Sequence, residues 1–589
     1  MYSTASSIAR NQTTGWALIE DQYGTASEAK ALEEGVDPAT LCAKYHKIHK
    51  DIYDWFRIDF DIFGQTPTPQ HTQIVQDIFK KLWANGFIEE RETVQPYCQV
   101  HSSFLADRFV EGECSICGYA DARGDQCDRC GRLMRGPVFR HQGSEMLKYR
   151  RDPVEPESTD APEGRGEGET EGDNADTKAT GWLLNPRCKP DGAKPEKRNT
   201  KHLFLRLDSL TDKTVAWFFE DANQGWTANA VAITQSWIDK GLHPRAITRN
   251  LRWVVPIPHV EGLSTEEYSS KEQWWKNPKE VELYHFLGKD NVPFHSIVFP
   301  ASQIGSGDNW TQVRHISATE YLNYEGGKFS KSRGIGVFGN SARDTGIDAD
   351  VWRYYLLSRR PENGTDTEFK WEEFISVNNN DLLKNIGNLV NRVVKFCHAK
   401  IGGVVPRHTV SESHQSNVNT LLTLYISNVE NMRLRLGLST ILQISALGNK
   451  FLQDNKLDNR LFTESPELCA NVVGTALNHL HLLANLLSPF MPKTAESIFE
   501  QLGVGSVPRI PDTWAANTLV EGHKLGEPRP LFSMIPAAKL EEWREAYGGS
   551  AAQEQKLLEA ERAAAKKAAK KEKKGKKQSI KEALKSKEP

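Results

Sequence analysis

Gly327-Lys328-Phe329-Ser330-Lys331-Ser332-Arg333-Gly334 is a glycine-flanked loop that holds two lysines and two serines, and it sets the expectation for the whole fold. Loops of this composition meet polyphosphate. Lysine ammonium groups neutralise charge on bridging and terminal oxygens, while hydroxyls and backbone N–H groups orient them. A basic surface turn is the competing reading of a lone K-x-S-K-S, so the surroundings matter. Upstream, Gly288-Lys289-Asp290-Asn291-Val292-Pro293-Phe294-His295 places an acid and a histidine on either side of a short apolar segment. Alone, that segment reads as a buried strand end with an incidental histidine.

Lys328-Phe329-Ser330-Lys331-Ser332 resembles the second signature of class I aminoacyl-tRNA synthetases, usually Lys-Met-Ser-Lys-Ser. The preceding Thr319-Glu320-Tyr321-Leu322-Asn323-Tyr324-Glu325 looks like the methionyl-tRNA synthetases in particular. The resemblance implies a methionine–tRNA ligase: an α/β protein with a class I Rossmann-type parallel sheet, here incomplete, a zinc-knuckle insertion and an all-α anticodon-binding bundle. It implies that Lys331 binds ATP and stabilises the departing pyrophosphate, while Lys328, Ser330 and Ser332 help close the loop. By the same likeness Asp290 and His295 border the methionine pocket, the acid toward the ammonium group and the histidine near the thioether. The implied ligands are methionine, ATP with magnesium, and tRNA(Met). A multi-synthetase assembly or a tRNA-binding cofactor protein is the implied protein partner.

Four of the nine cysteines fall in one pattern, Cys114-x2-Cys117-x9-Cys127-x2-Cys130, with Gly118, Gly124 and Gly131 available for tight turns. Four thiolates suit a closed tetrahedral structural zinc site, and a redox pair is the alternative for one knuckle. The run from Phe104 to Gly112 resembles the zinc-bearing connective insertion of the same family, some members of which carry a second cysteine set. Here that set is reduced to Cys188-Lys189-Pro190-Asp191, so no second zinc is expected.

A chain of 589 residues predicts two to four domains. Residues 1–97 form the first part of the catalytic domain and 98–252 the connective domain, which contains an acidic insertion at 137–180 too poor in apolar groups to order. Residues 253–372 complete the catalytic domain. Val281 to Pro300 is expected to hold a buried strand, through Phe286, Val292, Phe294, Ile297, Val298 and Phe299. Residues 373–540 are helical, with Leu382, Leu383, Ile386, Leu389, Val390, Val393 and Val394 in one apolar stripe and Leu477, Leu480, Leu483 and Leu487 in another. Asn388 and Arg392 stand one turn apart, an amide and a guanidinium able to read base edges or to form an ordinary helix surface. The resemblance favours the anticodon. The lysine-rich tail, 541–589, either contacts RNA phosphates or remains solvated. No apolar run reaches the length a bilayer needs and no targeting segment is evident, so a cytoplasmic enzyme is expected.

Two departures from the family qualify the activity. No His-Ile-Gly-His-like signature is found, and Met1 to Glu20 matches little. Between Pro256-Ile257-Pro258-His259 and Lys271-Glu272-Gln273-Trp274-Trp275 the family's Trp-Phe-Asp-Ala segment, much of its methionine pocket, is absent. Little or no activity is therefore expected from these 589 residues alone, and a catalytically inactive tRNA-binding remnant is the alternative function.

Overall fold

The computed structural model describes residues 15–106, 109–124, 183–249, 251–258, 274–330, 334–361, 364–505 and 508–549. The acidic insertion at 137–180 and the tail lysines lie outside them. The chain forms two compact units, one of residues 17–50 and 62–318, the other of 51–61 and 319 onward.

In the first unit, β1 (Ala17–Glu20) pairs in parallel with β2 (Ile62–Gln65), Leu18 opposite Phe63. The Pro38–Trp55 helix, of which residues 38–50 fall in this unit, carries the spacing expected of Leu41, Tyr45, Ile48, Ile52 and Trp55, and it buries Leu41 and Cys42. Pro69–Ala84 is a second helix, started by Thr68, whose hydroxyl accepts the His71 N–H, and by proline at the first turn.

A long ribbon follows. β3 (Ile88–Cys98) is joined by β4 (Ser103–Phe104), and three short strands come next: β5 (Val110–Cys114), β6 (Ala122–Arg123) and β7 (Leu183–Cys188). β8 (Glu196–Leu205) then runs antiparallel to β3 without a break, from Ile88 opposite Leu205 to Tyr97 opposite Glu196. Much of the ribbon's middle is exposed, so its backbone ladder holds it, with cross-strand pairs added: the Lys201 ammonium lies 2.7 Å from Glu90, and the Arg198 guanidinium lies 3.6 Å from the Tyr97 ring centre. β9 (Arg245–Ala246) covers one edge of β8, and β5, β6 and β7 form a separate antiparallel sheet in the order β6-β5-β7.

The predicted strand between Val281 and Pro300 is only half strand. β10 (Leu283–Gly288) pairs with β11 (Val313–Thr319), but the chain turns at Lys289–Asn291 and is helical from Phe294 to Ser306. Ser296, Ile297, Pro300 and Ala301 face inward with three-to-four-residue spacing, a helical period that a short apolar run conceals. Gly305 lets this helix approach its neighbours: a Cβ there would lie 2.6 Å from Leu82 and 3.2 Å from Leu210. Among the described residues, the strands expected to build one parallel sheet stand instead as the separate pairs β1-β2 and β10-β11.

In the second unit, β12 (Leu322–Tyr324) pairs in parallel with β13 (Thr367–Phe369) beside an aromatic cluster. Phe369 stacks between Tyr324 and Trp352, and the Trp371 indole N–H donates to the Tyr324 hydroxyl at 2.8 Å. Tyr324 is itself buried, which pushes its phenol up to about 12. Long helices follow at Asn388–Ile401, Glu412–Glu430, Leu434–Asp454 and Pro466–Leu487. Leu382, Ile386, Leu389, Val390, Val393, Val394, Leu477, Leu480, Leu483 and Leu487 are all buried, as the stripes predict. Each such side chain contributes about 1.5–3 kcal/mol by leaving water. The buried Arg353 reaches backbone carbonyls of Phe490, Pro489 and Phe56 at 2.7–2.9 Å, which satisfies a charge that would otherwise be costly to bury. No helix among the described residues is long and apolar enough to cross a membrane.

Candidate functional site

The lysine-serine loop rises from a closed base. Ser330 and Ile335 exchange both backbone hydrogen bonds, at 2.9 Å each, and Tyr324 and Gly327 do the same at 2.7 and 2.9 Å. Lys328 is exposed and Ser330 partly buried, while Lys331 and Ser332 lie outside the described residues. Phe329 anchors the base, with its ring 5.4 Å from Tyr324 and 5.6 Å from Phe338. Gly336 has φ 108°, and a Cβ there would fall 2.2 Å from the Phe329 ring, so only glycine fits. The Gly336 N–H donates to the Tyr547 carbonyl at 2.8 Å, tying the loop to the Ala538–Tyr547 helix. That helix is held in turn by Arg544, which pairs with Glu325 at 3.0 Å and Glu372 at 2.9 Å, and by Tyr547 stacked on Trp371. Sequence reading placed no packing face in this segment, although Trp543 is almost fully buried.

Asp290 and His295 sit on the turn and helix that leave β10, the acid exposed and the imidazole partly buried. His295 meets a residue that sequence reading missed: its Nδ1 is 3.0 Å from Nδ1 of His285, with the rings edge to face. One nitrogen must donate and the other accept, so the two Nδ1 atoms share a single proton. Burial and the neighbouring His295 ring push His285 down to about 3, and burial lowers His295 as well. Phe299 lies 5.9 Å from His285, and the Arg245 guanidinium covers Phe294 at 4.7 Å. This is a largely apolar setting with a few fixed polar atoms, the composition of small-ligand sites. A second missed group is Glu20, at the carboxyl end of β1. It takes Nδ1 contacts from His46 at 2.7 Å and His49 at 2.6 Å, and the end of a parallel strand is where α/β folds place ligands.

Of the four expected zinc ligands, Cys114 and Cys117 are described and Cys127 and Cys130 lie outside. Cys114 is buried in a tight turn: the Gly118 N–H donates to its carbonyl at 2.9 Å, and its own N–H donates to Tyr119 at 2.8 Å. Those features fit a structural zinc knuckle. Nearby in the same unit, donor atoms of Cys98, His101, Cys188 and Asp191 all lie within 4.8 Å of one another. Sequence reading saw Cys188 and Asp191 as a reduced second set and did not link them to Cys98 and His101.

Asn388 and Arg392 are both exposed on the first turns of the Asn388–Ile401 helix, with Leu389, Val390 and Val393 buried on its other side. An open amide–guanidinium pair on a rigid helix meets the geometric need for reading unstacked bases.

Two family models match the chain: tRNA synthetases class I (M) over residues 8–146 and 161–394, and the anticodon binding domain of methionyl tRNA ligase over 407–552. The chain is 45% identical over 569 residues to a probable cytoplasmic methionine–tRNA ligase of Schizosaccharomyces pombe, covering 92% of this chain and 67% of that protein. It is 44% identical to the cytoplasmic methionine–tRNA ligase of Saccharomyces cerevisiae, with 92% and 69% covered. Against the Homo sapiens cytoplasmic enzyme the identity is 41%, and the chain spans 58% of that relative's length. Among solved structures, a Mycobacterium tuberculosis methionyl-tRNA synthetase bound by methionyl-adenylate superposes with a TM-score of 0.65 at 18% identity, over 90% of this chain and 95% of the other. That likeness carries the fold: a mixed α/β catalytic domain followed by a helical domain.

Proposed function

The chain belongs to the class I methionyl-tRNA synthetases, and from that premise we propose that it is a cytoplasmic methionine–tRNA ligase acting on methionine, ATP and tRNA(Met). The methionine carboxylate attacks the α-phosphorus of ATP, pyrophosphate leaves, and the acyl group then passes from the adenylate to the 3′ adenosine of the tRNA as AMP departs. The protein's share of this chemistry is positioning and charge stabilisation. Lys331 meets the departing pyrophosphate, whose magnesium arrives with the nucleotide, while Lys328, Ser330 and Ser332 close over it. Asp290 and His295 border the amino acid, and the neutral His285–His295 pair sets which imidazole nitrogen can donate toward a thioether. Asn388 and Arg392 read the anticodon from the helical domain at 373–540. Cys114, Cys117, Cys127 and Cys130 hold a structural zinc in the connective domain, and a multi-synthetase or tRNA-binding partner protein docks elsewhere.

The observation that supports this most directly is the closed base of the lysine-serine loop, where backbone hydrogen bonds join Ser330 to Ile335 on either side of the lysine-bearing sequence. The test is methionine-dependent ATP–pyrophosphate exchange by the 589-residue chain. Lys331→Ala is expected to lower exchange by about 10²–10³-fold, the usual cost of one transition-state charge partner. A second reading, tRNA binding without catalysis, is favoured by the absent Trp-Phe-Asp-Ala segment alongside the surviving Asn388 and Arg392. Exchange that is nil in the unsubstituted chain, with tRNA(Met) still retained on filters in preference to unrelated tRNA, would select it.

A further inference from the structure

Given the anticodon-reading role proposed for Asn388 and Arg392, we infer that Asn449 is the residue that positions them, through the backbone turn on which both depend. From Val377 to Gly387 the chain follows a wide, π-helical course, and the ordinary helix begins at Asn388. A wide turn holds one residue more than an α-helical turn, so shifting its end by one position rotates each residue passed by about 100°. Asn388 stands immediately after the wide stretch. Where that stretch ends therefore decides whether the amide and the guanidinium face solvent or the bundle.

Asn449 reaches that end from the neighbouring Leu434–Asp454 helix. Its Nδ2 donates to the Asn385 carbonyl at 3.0 Å and to Asn385 Oδ1 at 3.1 Å. The Asn385 carbonyl also accepts the Asn388 N–H, which it shares with the Leu383 carbonyl. One oxygen thus links the side chain of Asn449 to the backbone of Asn388. Asn385 is held at its remaining atoms too: Ser445 Oγ donates to its Oδ1 at 2.9 Å, and its Nδ2 donates to the Leu442 carbonyl at 3.1 Å. With both the carbonyl and the side chain of Asn385 engaged by one helix, the wide stretch has a single end point. Gly448 lets the two helices approach closely enough, since a Cβ there would lie 2.8 Å from Leu389, the residue after Asn388. Apolar packing alone is non-directional and would not choose among end points, whereas a satisfied polar network specifies one. Asn385 and Asn449 are partly buried while Asn388 and Arg392 are exposed, which separates the reading groups from their support.

The test is filter binding by the full 589-residue chain to tRNA(Met) and to the same tRNA with a substituted anticodon. Asn449→Ala is expected to lower the preference for the natural anticodon by about 10-fold, the order that one misdirected base contact costs. Combining it with Asn388→Ala/Arg392→Ala should lose no more than that pair variant alone, because residues that act as a unit are not additive. A merely structural amide would lower the melting temperature and leave the preference intact, and that result would overturn the inference, as would a further loss in the combined variant. Preference kept by Asn449→Ala but lost by the pair variant would leave anticodon reading standing by itself. Preference untouched by the pair variant, or missing from the unsubstituted chain, would overturn both. Should Asn449→Ala not fold, Asn449→Ser, whose hydroxyl falls short of Asn385, decides by the same comparison.

Discussion

His479 donates from Nε2 to the Ile444 carbonyl at 3.0 Å, which leaves its Nδ1 as an acceptor for Nε2–H of His414 at 3.2 Å. Both rings are buried inside the helical bundle, with Phe451 and Trp514 beside them. Burial pushes His414 down to about 4 and, with the His414 ring adding to it, His479 down to about 3. An unfolded chain protonates these histidines near pH 6.5, whereas the folded one does not, so the unfolded state binds more protons as pH falls. Stability is full above pH 6.5 and declines below it, by up to about 1.4 kcal/mol per pH unit for each ring, until about pH 4 and 3 respectively. Urea midpoints measured between pH 7 and 5 should fall accordingly, and His414→Gln/His479→Gln should flatten the profile. A slope that the double substitution leaves unchanged would place the titrating groups elsewhere.

Among elements, the Ala538–Tyr547 helix decides how firmly the lysine-serine loop is held. It grips the loop's base through the Tyr547 carbonyl and rests on Trp371 through both Trp543 and Tyr547. Tyr547→Ala removes the stack and the hydroxyl contact to the Ser341 carbonyl, at a cost of about 1–3 kcal/mol for a partly buried ring. The expected readout is faster amide exchange at Ser330 and Ile335 together with slower adenylate formation, while the bundle's helical circular dichroism persists. Unchanged exchange at those two amides would mean that the helix does not brace the loop. In sequence this segment falls mostly within a tail expected either to contact RNA phosphates or to remain solvated, because its apolar residues are few and aromatic. What they pack on, Trp371 and Phe374, lies about 170 residues earlier in the chain. The Phe294–Val298 segment failed differently, since a short apolar run fits either a strand or a helix, and packing against Leu82 and Leu210 selects the helix.

At the scale of the whole molecule, two kinds of RNA contact are separable. Asn388 and Arg392 present directional groups on a rigid helix, whereas the tail lysines supply charge without direction. Asn388→Ala/Arg392→Ala should weaken tRNA(Met) binding by about 10–100-fold and leave unrelated tRNA nearly unchanged. Removal of residues 550–589 should weaken all tRNAs alike and flatten the salt dependence. Filter binding across a salt series distinguishes them, and equal losses for every tRNA in the helix variant would discard anticodon reading.

Local chemistry was legible in the residues themselves. The cysteine spacing and the leucine stripes are patterns within a few positions, so composition and period determined the helical second half and a candidate metal knuckle, while the resemblance of the lysine-serine loop to a family signature implied the family and its α/β catalytic fold. Only the folded chain brought together groups that no local pattern links. His285 reaches His295 because a strand and a helix meet at a tight turn, and Cys98 with His101 meets Cys188 with Asp191 because β3 and β8 pair along their whole length. Strand pairing acts through backbone hydrogen bonds, which leave almost no trace in side-chain sequence. Long-range convergence of donors is therefore a property of tertiary structure alone.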